Sequence, residues 1–128
     1  MITIKMTREM IVEEIKQVAC EERAHEFAIN RLDFDGLIKN LDELEEMYLK
    51  FIDEKKNTFA GTSKELELEL NSLDRNFTIK SMKAKYNYYS NAFNFDSEVL
   101  IDFDQWYEGA VEEIEEEFDK LHDSIENQ

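Results

Sequence analysis

A chain of 128 residues with 31 Asp and Glu against 15 Lys and Arg carries a formal net charge of −16, yet 42% of it is hydrophobic and 12% aromatic. That apolar fraction is enough to bury one core, and it argues against wholesale disorder, because disordered acidic chains lack so many Phe, Tyr, Leu and Ile. One Cys, no Pro and three Gly exclude disulfide frameworks and collagen-like architectures, and the short apolar runs exclude a membrane span.

Taken in chain order, Met1–Thr7 lacks the roughly 7–15-residue apolar region of a secretory signal, so a reduced, cytoplasmic setting is expected. Thr7 is placed to cap a helix running to about Asn30, with Ile11, Ile15, Val18 and Ile29 on one stripe. From Asp35-Gly36 onward, Leu37, Leu41, Leu44, Tyr48, Phe51 and Ile52 define the clearest amphipathic helix, ending near Asn57. Gly61 interrupts this pattern, and Thr62-Ser-Lys-Glu65 has the spacing of a capping box.

The middle admits two readings. Leu66, Leu70, Leu73 and Phe77 fit a helix, as do Ile79, Met82, Tyr86, Tyr89 and Phe93 in a shifted phase. Leu66-Glu-Leu-Glu-Leu70 and Met82, Ala84, Tyr86, Tyr88 also alternate, so a hairpin turning near 73–76 is the competing pattern. The Ile2, Ile4, Met6 alternation would then add a strand. The lack of Gly or Pro between residues 62 and 108 favours helix. Further on, Phe103, Tyr107, Ala110, Ile114, Phe118, Leu121 and Ile125 form one stripe on a helix that begins between Ser97 and Asp102 and contains Gly109. The expected fold is a single all-α domain over 1–128, a bundle of four to five helices with a long acidic C-terminal helix. The alternative is α+β, with a hairpin or small antiparallel sheet in 62–95.

Charge is unevenly spread. Residues 1–74 carry a net of −8, residues 75–95 a net of +4 (Arg75, Lys80, Lys83, Lys85 and no acid), and residues 96–128 a net of −12. Such a chain repels nucleic acid and anionic lipid and attracts basic surfaces, so direct nucleic-acid and membrane partners are not expected. The Tyr86-Asn-Tyr-Tyr89 cluster beside the lysines looks like a stacking platform for single strands, but the overall charge argues against that use. The basic island is better suited to pairing with this chain's own acidic helices or with a second copy.

In the last helix Glu108, Glu112, Glu113, Glu116, Asp119, Asp123 and Glu126 turn away from the apolar stripe. Twelve acids and one Lys over residues 97–126 span roughly 45 Å at about 1.5 Å per residue. That is about one net negative charge per 4 Å, close to the roughly 3.4 Å phosphate spacing along one strand of B-DNA. A helix shaped for stability alone scatters Lys at i+4 from Glu, and here Lys120, four after Glu116, is the single instance, so most of the repulsion is left standing. Glu108, Glu112, Glu116, Asp119 and Asp123 are the candidate partner-binding residues, with Trp106, at the stripe's edge, as an apolar anchor.

Catalytic and metal signals are sparse. Glu22-Arg-Ala-His25 has the Glu-x-x-His spacing of di-iron carboxylate bundles, and both residues fall on the first helix's apolar stripe. The second set this needs is absent, since Asp119-Lys-Leu-His122 faces solvent and the second helix shows no acid in the middle of its inward face. Asp33-Phe-Asp35-Gly36 has part of an EF-hand loop, but Arg31 would take the first ligand position and Asp42 the last. Cys20, near the apolar stripe, reads as a buried structural thiol. No enzyme activity, metal or cofactor is expected.

In size, acidity, aromatic content and lack of a catalytic signature, the chain resembles phage-encoded inhibitors of nucleic-acid enzymes, the anti-restriction and anti-CRISPR proteins. It also resembles immunity proteins that neutralise basic nuclease toxins. The resemblance covers composition and charge layout only and carries no residue across. It implies a non-catalytic nucleic-acid mimic acting in the host-cell cytoplasm on a basic nucleic-acid-binding protein or nuclease. Two further readings are a helical interaction module, which could be a homo-oligomer, and a di-metal carboxylate protein.

Overall fold

The computed structural model describes residues 5–18, 21–95 and 97–128. Every regular element among them is an α-helix: α1 (Arg8–Val18), α2 (Glu22–Arg31), α3 (Phe34–Thr58), α4 (Ser63–Phe93) and α5 (Ser97–Glu126). The all-α reading holds, and within 62–95 the chain forms one continuous helix of 31 residues, Ser63–Phe93, after the Thr62 cap rather than a hairpin. The strand alternation at Ile2 and Ile4 lies outside the described residues, as does Cys20, while Met6 packs against the core.

Short connections make α3, α4 and α5 run antiparallel to their neighbours, and α4 lies between α3 and α5, which do not approach each other comparably. The two shorter helices pack across one face of this layer, α2 on α4 and α1 on α2 and α5. This placement explains the shifted apolar phase of α4. Along its length α4 must present apolar positions to α3, to α5 and to the α1–α2 pair in turn, so no single stripe describes it. Its buried Phe77, Tyr89, Ala92 and Phe93 join Ile11, Ile15, Ala28, Phe34, Leu37, Leu41 and Phe103 in the core.

Helix starts follow cap chemistry. The Thr7 Oγ1 accepts from the Met10 N–H at 3.2 Å, and Thr62 Oγ1 accepts from Glu65 N–H at 3.2 Å while donating to Glu65 Oε1. Asp33 caps α3 through its Oδ1, which accepts from Gly36 N–H at 3.0 Å. A Cβ at position 36 would collide with the Asp33 carboxylate and lie 3.1 Å from the Tyr88 hydroxyl, so the Asp-x-x-Gly pattern belongs to this cap and not to a calcium loop.

The first helix departs from expectation. It does not run to Asn30 but ends at Val18, and a second begins at Glu22 after an extended Glu21 (φ −73°, ψ 123°). Adjacent acids at 21 and 22 suit a new helix N-terminus, where backbone N–H groups and the macrodipole favour negative charge. The break changes which residues face inward. Ala24 and Ala28 are buried in α2, whereas Glu22 is exposed and His25 half-buried. The inward Glu-x-x-His pair is therefore not formed.

Candidate functional site: the acidic face of the last helix

α5 spans 30 residues and extends the bundle's length, so its outer face is presented as a rod. At about 100° per residue, Glu108, Glu112, Glu116, Asp119 and Asp123 fall within an arc of about 80° and along roughly 22 Å of helix. All five are exposed, and the arc lies opposite the Phe103–Tyr107–Ile114–Phe118–Ile125 stripe that packs on the bundle. Glu113 and Glu126 are exposed as well.

Other acids of α5 are engaged internally. Asp104 accepts a hydrogen bond from the Tyr86 hydroxyl at 2.9 Å, and Glu115 lies 3.9 Å from the Arg75 guanidinium. Together these contacts hold α5 to α4 through two acids that face inward. By contrast, among the described residues Glu108, Glu112, Glu116 and Asp119 enter no ion pair. The Tyr86–Asp104 bond, with lesser help from burial and the Asp104 charge, raises the Tyr86 pKa above its ordinary value.

Trp106 sits on the other flank of α5 from this arc. Half-buried, it stacks on Phe103 (centroids 5.5 Å, 22° between planes) and lies 6.3 Å from Tyr89. It closes the margin of the core. Tyr86, Tyr88 and Tyr89 are likewise occupied within the fold. Tyr88 accepts from Asn40 Nδ2 at 2.9 Å, and Tyr86 packs on Phe103 and Tyr107.

The basic island pairs partly with the chain's own acids, though chiefly through α1. Buried Lys85 places its Nζ 3.1 Å and 3.2 Å from the two oxygens of Glu14, and the fully buried Tyr89 donates to Glu14 Oε1 at 2.9 Å. This three-residue network, which sequence reasoning missed, fastens α1 to α4. Its partners lie 71 and 75 positions apart, so no local spacing announces it. Burial, then the Glu14 charge and hydrogen bond, pushes the Tyr89 pKa up.

Among the described residues no convergent metal set accompanies the Glu-x-x-His motif. Glu45 corrects the expectation that the second amphipathic helix lacks an inward acid, since it is buried on α3 between Leu41 and Tyr48. A spacing of four from Leu41 and three to Tyr48 put it on that face all along. It does not join His25. The ligand-type side chains that do cluster among the described residues are His122, Asp123 and Glu126, at the far end of α5. There Asp123 faces Nδ1 and Glu126 faces Nε2, each at 3.8 Å, so the carboxylates lie at different edges of an exposed ring.

No helix among the described residues is long and apolar enough to cross a membrane. No family model matches this chain, and neither the curated proteins nor the solved structures include a similar one.

Proposed function

We propose that this protein binds the basic groove of a nucleic-acid-handling protein through the outer face of α5, displacing DNA or RNA as a nucleic-acid mimic, and that it acts without catalysis. What supports this reading is the exposed arc of Glu108, Glu112, Glu116, Asp119 and Asp123 on one rigid helix whose one lysine, Lys120, enters no ion pair among the described residues. Five carboxylates over about 22 Å give roughly one charge per 4–5 Å, a density that a groove shaped for phosphates can accept. Inhibition of the anti-restriction or anti-CRISPR kind, acting in the cytoplasm of a host cell, is the role this chemistry serves best. Immunity against a basic nuclease toxin uses the same surface and differs in the identity of the partner.

Exposed rim charges act mostly on association rate and salt dependence, so the effect resides in the set of carboxylates. The test is capture of basic proteins from nuclease-treated lysate by the native chain and by a variant with Glu112, Glu116, Asp119 and Asp123 all changed to Lys. The native chain should retain a nucleic-acid-binding protein that the quadruple variant does not. Equal retention by both would remove α5 from the interface.

A further inference from the structure

Three glycines occur in the chain, and two of them are explained by the fold itself. A Cβ at position 36 would strike the Asp33 carboxylate of the α3 cap, and one at position 61 would lie 2.7 Å from the Phe59 ring and from a Glu65 oxygen. Gly109 has no such reason. It lies mid-way along α5, it is exposed, and a Cβ built on it meets no atom of the described residues within 4 Å. Glycine inside a helix is less stable than alanine because it has more backbone entropy to lose. No contact among the described residues offsets that loss.

What surrounds the missing side chain is specific. On a helix surface the neighbours of position 109 are the residues three and four away, Gln105, Trp106, Glu112 and Glu113. Around the axis Gly109 stands about 60° from Glu112 of the acid arc and, on its other side, about 60° from Trp106. Helical side chains lean towards the N-terminus, so one at 109 would cover the turn that carries Gln105 and Trp106. Without it, that edge of the half-buried indole stays open. The ring itself is held in place, stacked on Phe103 and set against Tyr89. Gln105, Glu112 and Glu113 are exposed, and neither carboxylate enters an ion pair among the described residues.

We propose that this notch receives an arginine side chain of the basic partner, its guanidinium laid against the indole of Trp106 and paired with Glu112 and Glu113. The inference rests on the reading of α5 as a nucleic-acid mimic, and it names a contact that fixes where along the helix the partner sits. Its chemistry selects arginine over lysine. A guanidinium is planar and stacks on aromatic rings, whereas the ammonium of lysine is a compact, strongly hydrated point charge. In grooves that hold nucleic acid, arginines meet phosphate oxygens and stack on bases. Two carboxylates beside an indole offer an anion and a ring together, as a nucleotide does. A side chain at 109 would fill the space the guanidinium has to enter, which gives the glycine its reason.

Trp106 is the single tryptophan of the chain, so its emission reports on the notch directly. The probes are oligoarginine and oligolysine peptides of equal length and charge, added to the full chain at physiological ionic strength. Binding is read from the anisotropy of a dye-labelled copy of each peptide, and the notch from Trp106 emission with the unlabelled ones. The native chain should bind oligoarginine about threefold or more tighter than oligolysine, with a change in Trp106 emission that oligolysine does not produce. Gly109→Leu, a substitution that favours helix, should keep the fold by circular dichroism. It should lose the Trp106 response and bind oligoarginine no better than oligolysine. Gly109→Ala should move both readouts the same way to a smaller degree. Oligoarginine that binds the native chain without moving Trp106 emission would overturn the notch and leave the acid arc standing, as would unchanged affinity and response in Gly109→Leu. Failure of both peptides to bind the native chain would overturn the notch and the mimic reading together.

Discussion

The two ends of the bundle are built differently. Where α1 and α2 cover the layer, Ile11, Ile15, Phe34, Leu37, Leu41, Tyr89, Phe93 and Phe103 are buried, and the Glu14–Lys85–Tyr89 network closes the polar contacts. At the other end three helices pack without a lid. There Leu66, Leu70, Leu73, Ile114 and Phe118 are only half-buried and Leu121 is 48% exposed, while Ile52, Phe77 and Ile125 are buried. Glu112, Glu116 and Asp119, exposed and without an ion pair among the described residues, belong to this thinner end. Stability and charge are thus separated along the molecule, so one can be changed without much disturbing the other.

The largest effect should come from the covered end. Phe103→Ala removes a fully buried ring that touches Tyr86, Tyr89, Phe93 and Trp106, and should cost about 4 kcal/mol in denaturant unfolding. The matching change at the thin end, Leu121→Ala, should cost less than about 1 kcal/mol. Similar losses at the two positions would erase the distinction between the ends.

Glu14→Ala comes next. It leaves the buried Lys85 ammonium unpaired and the Tyr89 hydroxyl without its acceptor, and should cost about 3 kcal/mol. Hydrogen exchange should show the loss concentrated in α1, because that network is what ties α1 to α4.

The same tyrosines set an alkaline limit. Tyr89, by burial and Glu14, and Tyr86, by its bond to Asp104, both have folded pKa values above the ordinary one near 10. Their raised values favour the neutral form in the folded chain. The stability this confers is fully present below about pH 10 and is lost as pH rises above it, because the unfolded tyrosines ionise first. A tyrosinate absorbance titration should therefore show Tyr86 and Tyr89 ionising above the ordinary range near pH 10, with Tyr89 doing so as the chain unfolds. Ionisation of Tyr86 and Tyr89 at the ordinary value near 10 in folded protein would contradict this placement.

The smallest effects belong to the outer face of α5. Gly109→Ala adds a methyl group with nothing within 4 Å and should stabilise by roughly 1 kcal/mol through helix propensity alone. Glu116→Gln, at an exposed position with no ion pair, should change stability by less than about 0.5 kcal/mol.

What was legible in the sequence follows the same division. The acid face needed only periodicity and exposure, and one helix carries all of it. The caps at Thr7 and Thr62 were legible because cap chemistry is local, whereas Asp33 showed its role only once Gly36 was seen beneath its carboxylate. The break between α1 and α2 was hidden because Ile11, Ile15, Val18 and Ile29 keep one phase through it, although the chain turns at Glu21. Glu22 consequently went to the surface while two alanines took the core positions. The α4 ambiguity arose from a helix that serves three neighbours, and the Glu14–Lys85–Tyr89 network joins segments that only the tertiary fold brings together.

The most direct test of the central claim is competition on a captured complex. Partner bound to the immobilised native chain is challenged with duplex DNA and, separately, with rising salt. If the arc of Glu108, Glu112, Glu116, Asp119 and Asp123 occupies a phosphate-binding groove, duplex DNA releases the partner and affinity falls steeply as salt rises. A partner that stays bound through excess DNA and high salt would contradict the mimicry of nucleic acid by α5.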